Sequence, residues 1–311
     1  MWGGLTHVRD VGIVIVTHNS ADEIGPCLES AVATGAEVLV VDNASEDDTR
    51  GEVERRSVRL IANRSNVGFA AAVNQGALAL KTPLLLLLNP DAVVQSGLEH
   101  LCEACNDPQT AAAGGLLVNS FGKPQTGFNV RRFPSATALC FEALLINRVW
   151  PGNPVNWHYR CLDLDYSIAM DVEQPAGAFL MIRRDAWERL GHLDEEFWPL
   201  WFEDVDFLKR AKNHSYRIRY VPQAVAKHTG AHSIRKISLE FRQLYWYRSL
   251  LKYSAKHFSP GAEKAVCLAV IIGSVMRTVL GIPRHRSLKP IAVYGKVWKL
   301  AIRQLVLGAA S

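Results

Sequence analysis

The sequence predicts an α/β fold in which a mainly parallel sheet is flanked by helices. Three observations predict it. Short β-branched runs alternate with helical patterns through the first hundred residues. The run Leu84 to Leu88 is all leucine, apolar enough to be buried on both faces, as parallel strands are. Three of the runs end on polar residues: Thr17-His18-Asn19, Asp42-Asn43 and Asn89-Pro90-Asp91. Right-handed crossovers put the carboxyl ends of parallel strands on one side of the sheet, where such sheets bind ligands, so these endings should converge.

Taken in order, Val11 to Thr17 reads as a strand, and Ser20 with Glu23 predicts a capping box opening a helix to about Val32. Glu37 to Asn43 is a second strand, followed by an acid-started helix in SEDDTRGEVERR and a third strand in SVRLIA. A small-residue helix is expected over Asn66 to Leu80, before the leucine strand. Cys102 and Cys105 fall in a helix after Asp91, which leaves little for a zinc or redox reading of a single Cys-x-x-Cys. The stretch from Asn119 to Asp171, with Pro124, Pro134, Pro151 and Pro154, is loop-rich and carries no assignment. GAFLMIRR is a strand, RDAWERLG a short helix stopped by Gly191, EDVDFLKRAKN a helix, and YRIRYVP and AVAKH are strands. From Ala231 onward the chain is helical and basic.

Length and composition describe an ordinary globular protein: 311 residues, 49% apolar and 21% charged. The opening MWGGLTHVRD lacks a basic start followed by an apolar run, so no secretory signal is expected and the six cysteines should be reduced thiols in the cytosol. Charge is divided sharply. From Ala231 onward 14 Lys and Arg face only Glu240 and Glu263, while the first 230 residues hold 21 basic and 28 acidic side chains. The turn after the first strand, Thr-His-Asn-Ser-Ala-Asp-Glu, has no glycine and two acids, which excludes a dinucleotide-binding turn; a P-loop is absent as well. A bound phosphate would then need a divalent cation, and Asp91 could hold one.

The segments VIVTHNS, VVDNASEDDT, NRSNVGFAAAVNQG, LLLLNPDAVV, PAGAFLMIRRDAWERLGHLDEEFW and WFEDVDFLKRAKNHSYRIRYVPQAVAKHTGAHS occur in that order. Together they resemble a family 2 inverting glycosyltransferase with the GT-A fold, in the bacterial rhamnosyltransferase-like branch, over about residues 11 to 233. The resemblance implies a catalytic domain over 1–232, with a nucleotide-binding half to about 118 and an acceptor half from 119, and a basic helical extension over 233–311.

The same resemblance implies roles. Thr17, Asn19, Asp42 and Asn43 belong to a nucleotide pocket, with Asp42 accepting from the imide N–H of the pyrimidine ring. Asn66, Gly68 and Asn74 flank the nucleoside. Asn89-Pro90-Asp91 stands where the family carries an Asp-x-Asp metal motif, with an amide in place of the first acid. Asp91 would bridge Mg²⁺ or Mn²⁺ to the donor diphosphate, and His228 would supply a further ligand, with His232 as the fallback. Asp204 is the expected catalytic base of the Glu-Asp motif, with Glu203 positioning the acceptor. On the bland readings Asp42, Asn43 and Ser45 form a turn and helix cap, and Glu203, Asp204 and Asp206 suit a helix dipole. The aromatic segment Glu196 to Phe202 is equally suited to stacking on a sugar or to the core.

The implied reaction moves a sugar, L-rhamnose from dTDP-rhamnose or a relative carried by UDP, to a saccharide acceptor that can be polyprenyl-diphosphate-linked, in cell-surface polysaccharide synthesis. Two alternatives are a non-catalytic nucleotide-sugar-binding scaffold and a sugar-phosphate nucleotidylyltransferase. Val266 to Met276 is apolar but ends at Arg277, short of the roughly 20 residues a membrane span takes. Basic residues around an apolar helix instead describe a segment at the interface, which puts the protein on the cytoplasmic face of the plasma membrane. The competing expectation is docking against the catalytic domain or a second subunit in a homo-oligomer. The tail carries no nucleic-acid-binding motif, and none is expected to bind.

Overall fold

The structure is a computed structural model that describes residues 7–230 and 238–308. His232 lies outside the described residues. The chain forms two compact units, one from the described residues of 1–132, 164–199 and 203–236, the other from those of 133–163, 200–202 and 237–311. Residues 133–163, expected within the acceptor half of the catalytic domain, thus cluster with the C-terminal helices.

The first unit holds a nine-stranded sheet. Strand β1 (Val11–Thr17) lies between β2 (Glu37–Asp42) and β4 (Leu84–Leu88), and β3 (Arg59–Ala62) pairs with β2, all parallel. Helices α1 (Ala21–Ala33), α2 (Thr49–Glu54) and α3 (Phe69–Ala79) form the crossovers. Every residue of β1 and β4 is buried, as their unbroken apolar runs require. The expected capping box at α1 is not made. Ser20 occupies the N-cap, but its hydroxyl accepts no helix N–H, and its own N–H goes to Thr49 Oγ1 at 2.8 Å.

Beyond β4 the sheet becomes mixed rather than parallel throughout. After β5 (Ala92–Ser96), helix α4 (Leu98–Cys105) buries Cys102 and Cys105 against the core, and β6 (Thr110–Val118) follows. A small ribbon pairs β7 (Val130–Arg131) with β9 (Gln174–Pro175). Strand β10 (Phe179–Arg183) enters antiparallel between β4 and β6. The two strands expected over residues 216–228 are one, β11 (Arg217–His228), whose register shifts between Val221 and Val225, on either side of Pro222. It runs parallel to β6 and antiparallel to β5 and to β8 (Met170–Asp171). The segment EDVDFLKRAKN forms a single helix (Glu203–Asn213) as expected.

The second unit is helical. Its long helices are Leu239–His257, Pro260–His285 and Lys289–Leu307. Phe202 packs against Trp246 and Tyr253, and Ser249 Oγ donates to Leu200 O at 3.0 Å, so the end of the aromatic segment belongs to this core. Arg277 does not end its helix. It donates to the carbonyls of Glu142 and Ala143, and the helix continues, so that Pro260–Pro283 is long and apolar enough to cross a membrane by length and composition.

Candidate active site

The pairing fixes which ends meet. Thr17 is opposite Asp42 at the carboxyl ends of β1 and β2. Because β10 is antiparallel to β4, its first residue, Phe179, pairs with the last of β4, Leu88, and Asn89 N–H donates to Ala178 O at 3.0 Å. Strand β11 lies three strands from β4, through two antiparallel pairings and one parallel, so it runs in the direction of β4, and His228 ends at the same edge and pairs with Ala92 beside Asp91. One sheet edge therefore carries Thr17, Asp42, Asn89, Asp91, His228 and the loop leading into β10.

At the β1–β2 end, Asp42 is fully buried and saturated with protein donors. Its Oδ1 accepts from Thr17 Oγ1 at 3.1 Å and from the Ser45 hydroxyl; its Oδ2 accepts from Ser45 N at 3.2 Å and Arg50 Nε at 2.6 Å. A carboxylate offers about four acceptor sites. Reading a ring N–H through Asp42 thus requires a donor to swing away, and Arg50, with a side chain 42% exposed, has room to do so. Asn19 stands in the left-handed region (φ 56°), and its Oδ1 accepts from Glu46 N at 2.7 Å, tying the loops after β1 and β2 together. Asn43 is buried, donating to Gly68 O at 3.1 Å and accepting from Asn63 Nδ2 at 3.0 Å.

Of the three residues expected beside the nucleoside, Asn66 and Gly68 meet and Asn74 is engaged elsewhere. Asn66 is exposed and accepts from Gly68 N at 2.9 Å. Gly68 (φ +93°) caps α3, and a Cβ there would stand 2.7 Å from Trp198 Cδ1, so the close approach it permits is made by the chain itself. Asn74 is buried, and its carboxamide is engaged by Leu193 N and O and by Glu195 Oε1 at 2.9–3.1 Å. It anchors the turn after the short helix Arg184–Arg189 rather than meeting the other two.

Asp91 and His228 do meet. Asp91 Oδ1 lies 3.3 Å from His228 Nε2, both side chains nearly buried, and Thr229 N donates to Asp91 O at 3.2 Å. A carboxylate and an imidazole nitrogen this close are a donor pair that suits a small divalent cation completed by water and phosphate oxygens. Among the described residues no group of three or more His, Cys, Asp and Glu side chains is placed to hold a metal, so a cation here would depend on the substrate for its remaining ligands.

Glu203 and Asp204 open their helix after two bulky residues in the left-handed region, Trp201 (φ 76°) and Phe202 (φ 71°), a strain that folds tolerate chiefly at functional sites. Asp204 Oδ2 accepts from Gly177 N at 3.2 Å, and Oδ1 from Val205 N at 2.8 Å. A Cβ at residue 177 would lie 2.7 Å from Oδ2, so the contact needs glycine. Since Gly177 leads directly into β10, this carboxylate belongs to the same sheet edge as Asn89. Burial raises its pKa, opposed by these N–H groups and by Arg131. Glu203 is driven well above the ordinary carboxylate range, by burial first and by Asp204 second, and its Oε2 has no partner among the described residues. Asp206, the third acid, is structural, paired with Arg210 Nε at 2.8 Å.

Sequence reasoning placed Ser45 with Asp42 in a turn and helix cap without marking its hydroxyl as a donor to the carboxylate, and it missed Arg50, Asn63, Gln125, Arg131 and Gly177. Ser45 and Arg50 sit three and eight residues past Asp42, a spacing that could have identified them as its partners; Gln125 and Gly177 lie in loops where no local pattern marks them.

The sequence profile of Glycosyl transferase family 2 matches residues 12–191. The chain belongs to that family. The glycosyltransferase is 27% identical to the N-acetylglucosaminyl-diphospho-decaprenol L-rhamnosyltransferase of Mycobacterium tuberculosis, covering 78% of this chain and 88% of that one. It is 24% identical to the low-salt glycan biosynthesis hexosyltransferase Agl10 of Haloferax volcanii, over 77% and 76% of the two chains. Among solved structures it resembles the mannosyltransferase PcManGT from Pyrobaculum calidifontis, in complex with GDP-Man and Mn²⁺, with a TM-score of 0.54 at 17% identity over 98% of this chain and 85% of that one. S. aureus TarS residues 1–349 give 0.50 at 15% over 94% and 91%. These likenesses establish the GT-A fold, and the family establishes that the protein is a glycosyltransferase.

Proposed function

We propose that this glycosyltransferase moves L-rhamnose from dTDP-rhamnose, with inversion, to a saccharide acceptor carried on a polyprenyl diphosphate. The observation that carries the mechanism is the hydrogen bond from Gly177 to Asp204, which ties a half-buried carboxylate to the sheet edge where β4 delivers Asp91. The mycobacterial relative, named for rhamnosyl transfer to a decaprenol-linked acceptor, supports the choice of sugar and acceptor.

Asp204 is the base. The acceptor hydroxyl oxygen forms the new bond to the anomeric carbon, the bond from that carbon to the diphosphate oxygen breaks on the opposite face, and the hydroxyl proton passes to the Asp204 carboxylate. The pKa raised by burial makes Asp204 a stronger base than an exposed aspartate. Burial and Asp204 favour the neutral form of Glu203, which in that form would offer the acceptor a hydrogen-bond donor beside the base. Asp91 and His228, with Asn89, would hold Mg²⁺ or Mn²⁺, which would supply positive charge to stabilise the departing diphosphate. Thr17, Asn19, Asp42 and Asn43 frame the nucleotide, with Asp42 exposed to the pyrimidine as Arg50 withdraws. The test is a screen of nucleotide sugars for thermal stabilisation with Mn²⁺ present. dTDP-rhamnose should give the largest shift, since ligand at a hundred times its Kd adds about 2.7 kcal/mol; stabilisation by another nucleotide sugar alone would replace rhamnose as the donor.

The lipid-linked acceptor suits the second unit. Along Pro260–His285 the exposed face carries Leu268, Ile272, Val275, Met276, Val279 and Leu280, with exposed Lys264 before it and exposed Arg286 and Lys289 after it. An apolar stripe bounded by cations fits the interface of an anionic bilayer. The opposite side of this helix packs on Ala136–Ala143 and on Lys289–Leu307, and Arg277 is bonded to the first of these, which supports lying at the cytoplasmic surface over spanning. Ile272→Asp with Val279→Asp should abolish sedimentation with phosphatidylglycerol vesicles while the fold persists. Sedimentation that survives those changes, or wild-type protein that resists carbonate extraction, removes the interfacial reading.

A further inference from the structure

We infer that Gln125 is a positioning residue for the cation site, holding His228 in the tautomer with its proton on Nδ1 so that Nε2 presents a lone pair beside Asp91. The inference rests on the reading of Asp91 and His228 as the pair that holds the cation.

The geometry leaves one assignment of the Gln125 carboxamide. One of its atoms stands 2.6 Å from the backbone carbonyl of His228, which can only accept, so that atom is the nitrogen. The other is therefore Oε1, 3.1 Å from His228 Nδ1. An amide oxygen can only accept, so Nδ1 donates. In the neutral ring the remaining nitrogen, Nε2, is then unprotonated and aimed at Asp91 Oδ1, 3.3 Å away. In that tautomer a cation at this nearly buried contact would draw on a lone pair from each residue.

Gln125 grips the same residue at its backbone and its ring, and its own backbone is fixed. Its N–H donates to Leu117 O, and its carbonyl accepts from Phe128 N and Asn129 N, each at 3.0 Å. Phe128 lies flat on the imidazole, 5.2 Å between ring centres and 6° between planes, which opposes rotation of the ring. A histidine ligand is commonly oriented by what its second nitrogen bonds, and loss of such a partner weakens metal binding by about 10–100-fold.

The test compares Gln125→Leu, Gln125→Glu and His228→Ala in the full chain. ¹⁵N NMR of the metal-free protein reads the tautomer, and Mn²⁺ titration followed by EPR, with dTDP present, reads the site. Wild type should show a protonated Nδ1 and a bare Nε2. Gln125→Leu should lose that preference and bind Mn²⁺ about 10–100-fold more weakly. Gln125→Glu, which keeps an acceptor for Nδ1, should keep the tautomer and lose less. A wild-type spectrum with the proton on Nε2 overturns the inference, and it does so even where Gln125→Leu fails to fold. Gln125→Leu with wild-type Mn²⁺ affinity, while His228→Ala loses binding, overturns it too. If His228→Ala binds Mn²⁺ like wild type, the reading beneath it fails, whatever the tautomer.

Discussion

Asp42 and Asp204 stand at one edge of one sheet and are treated in opposite ways. Around Asp42 the chain gathers two hydroxyls, an amide and a guanidinium, leaving its carboxylate no open acceptor position. Around Asp204 it supplies two amide N–H groups and half-buries the carboxylate beside a second acid, so desolvation outweighs the donors and the pKa rises. The first arrangement stabilises an anion and orders the loops that carry its partners. The second leaves basicity in place, which a proton acceptor needs.

The largest expected effect breaks the second arrangement. Asp204→Asn keeps the shape and an acceptor for Gly177 but cannot take a proton, so kcat should fall by about 10²–10⁴-fold. Affinity for the nucleotide sugar, measured by calorimetry, should stay. Equal loss of binding and turnover would make Asp204 a structural residue like Asp42. In the wild type the acidic limb of the kcat/KM profile should lie above the ordinary aspartate range, because activity needs the ionised form and burial delays ionisation. Next in size is Asp91→Ala, which should reduce donor affinity to the level wild type shows in EDTA; affinity that ignores both the substitution and the chelator would remove Asp91 from the cation site.

The contrast also explains what could be read from the chain. Strands β1, β2 and β4 and their polar endings were legible because buried parallel strands are continuous apolar runs, and Asp42, Asp91 and Asp204 lie at such endings or at the start of an acid-rich helix. Strand β6 was not, since its TAAAGGLLV sequence has little β propensity. Its glycines serve packing: a Cβ at 114 would stand 2.4 Å from Pro175, and one at 115 would stand 2.4 Å from Phe179. Nor was β10 legible as antiparallel, because pairing direction is set by where the chain returns and not by the residues of GAFLMIRR. Long-range partners at the site were hidden for the same reason: Gly177 is 27 residues from Asp204, and Gln125 is 103 from His228.

A smaller effect sharpens the role of burial at the second site. Glu203 has a folded pKa raised above its unfolded value, so its contribution to stability is fully present below the unfolded pKa and is lost as pH rises towards the folded one. Glu203→Gln cannot ionise. It should gain on wild type with rising pH by at most about 1.4 kcal/mol per unit, beginning near the ordinary glutamate range of about 4.3. Urea unfolding across that range measures the difference. A difference that does not change with pH would show that Glu203 is no more protonated in the fold than in the unfolded chain.

The smallest effect tests whether the donors around Asp42 are scaffolding. Thr17→Val keeps the volume of a fully buried side chain and removes one hydrogen bond of the four, so the cost to stability should be about 1 kcal/mol. If the hydroxyl only orders Asp42, the three remaining donors hold the carboxylate and nucleotide affinity changes little. If it reaches the nucleotide itself, affinity falls with the bond while stability falls by the same amount as before. Calorimetry on dTDP binding, set beside the urea midpoint, separates the two. Loss of affinity beyond about tenfold, roughly 1.4 kcal/mol, cannot come from the missing internal bond alone and would move Thr17 from the support of the pocket to its surface.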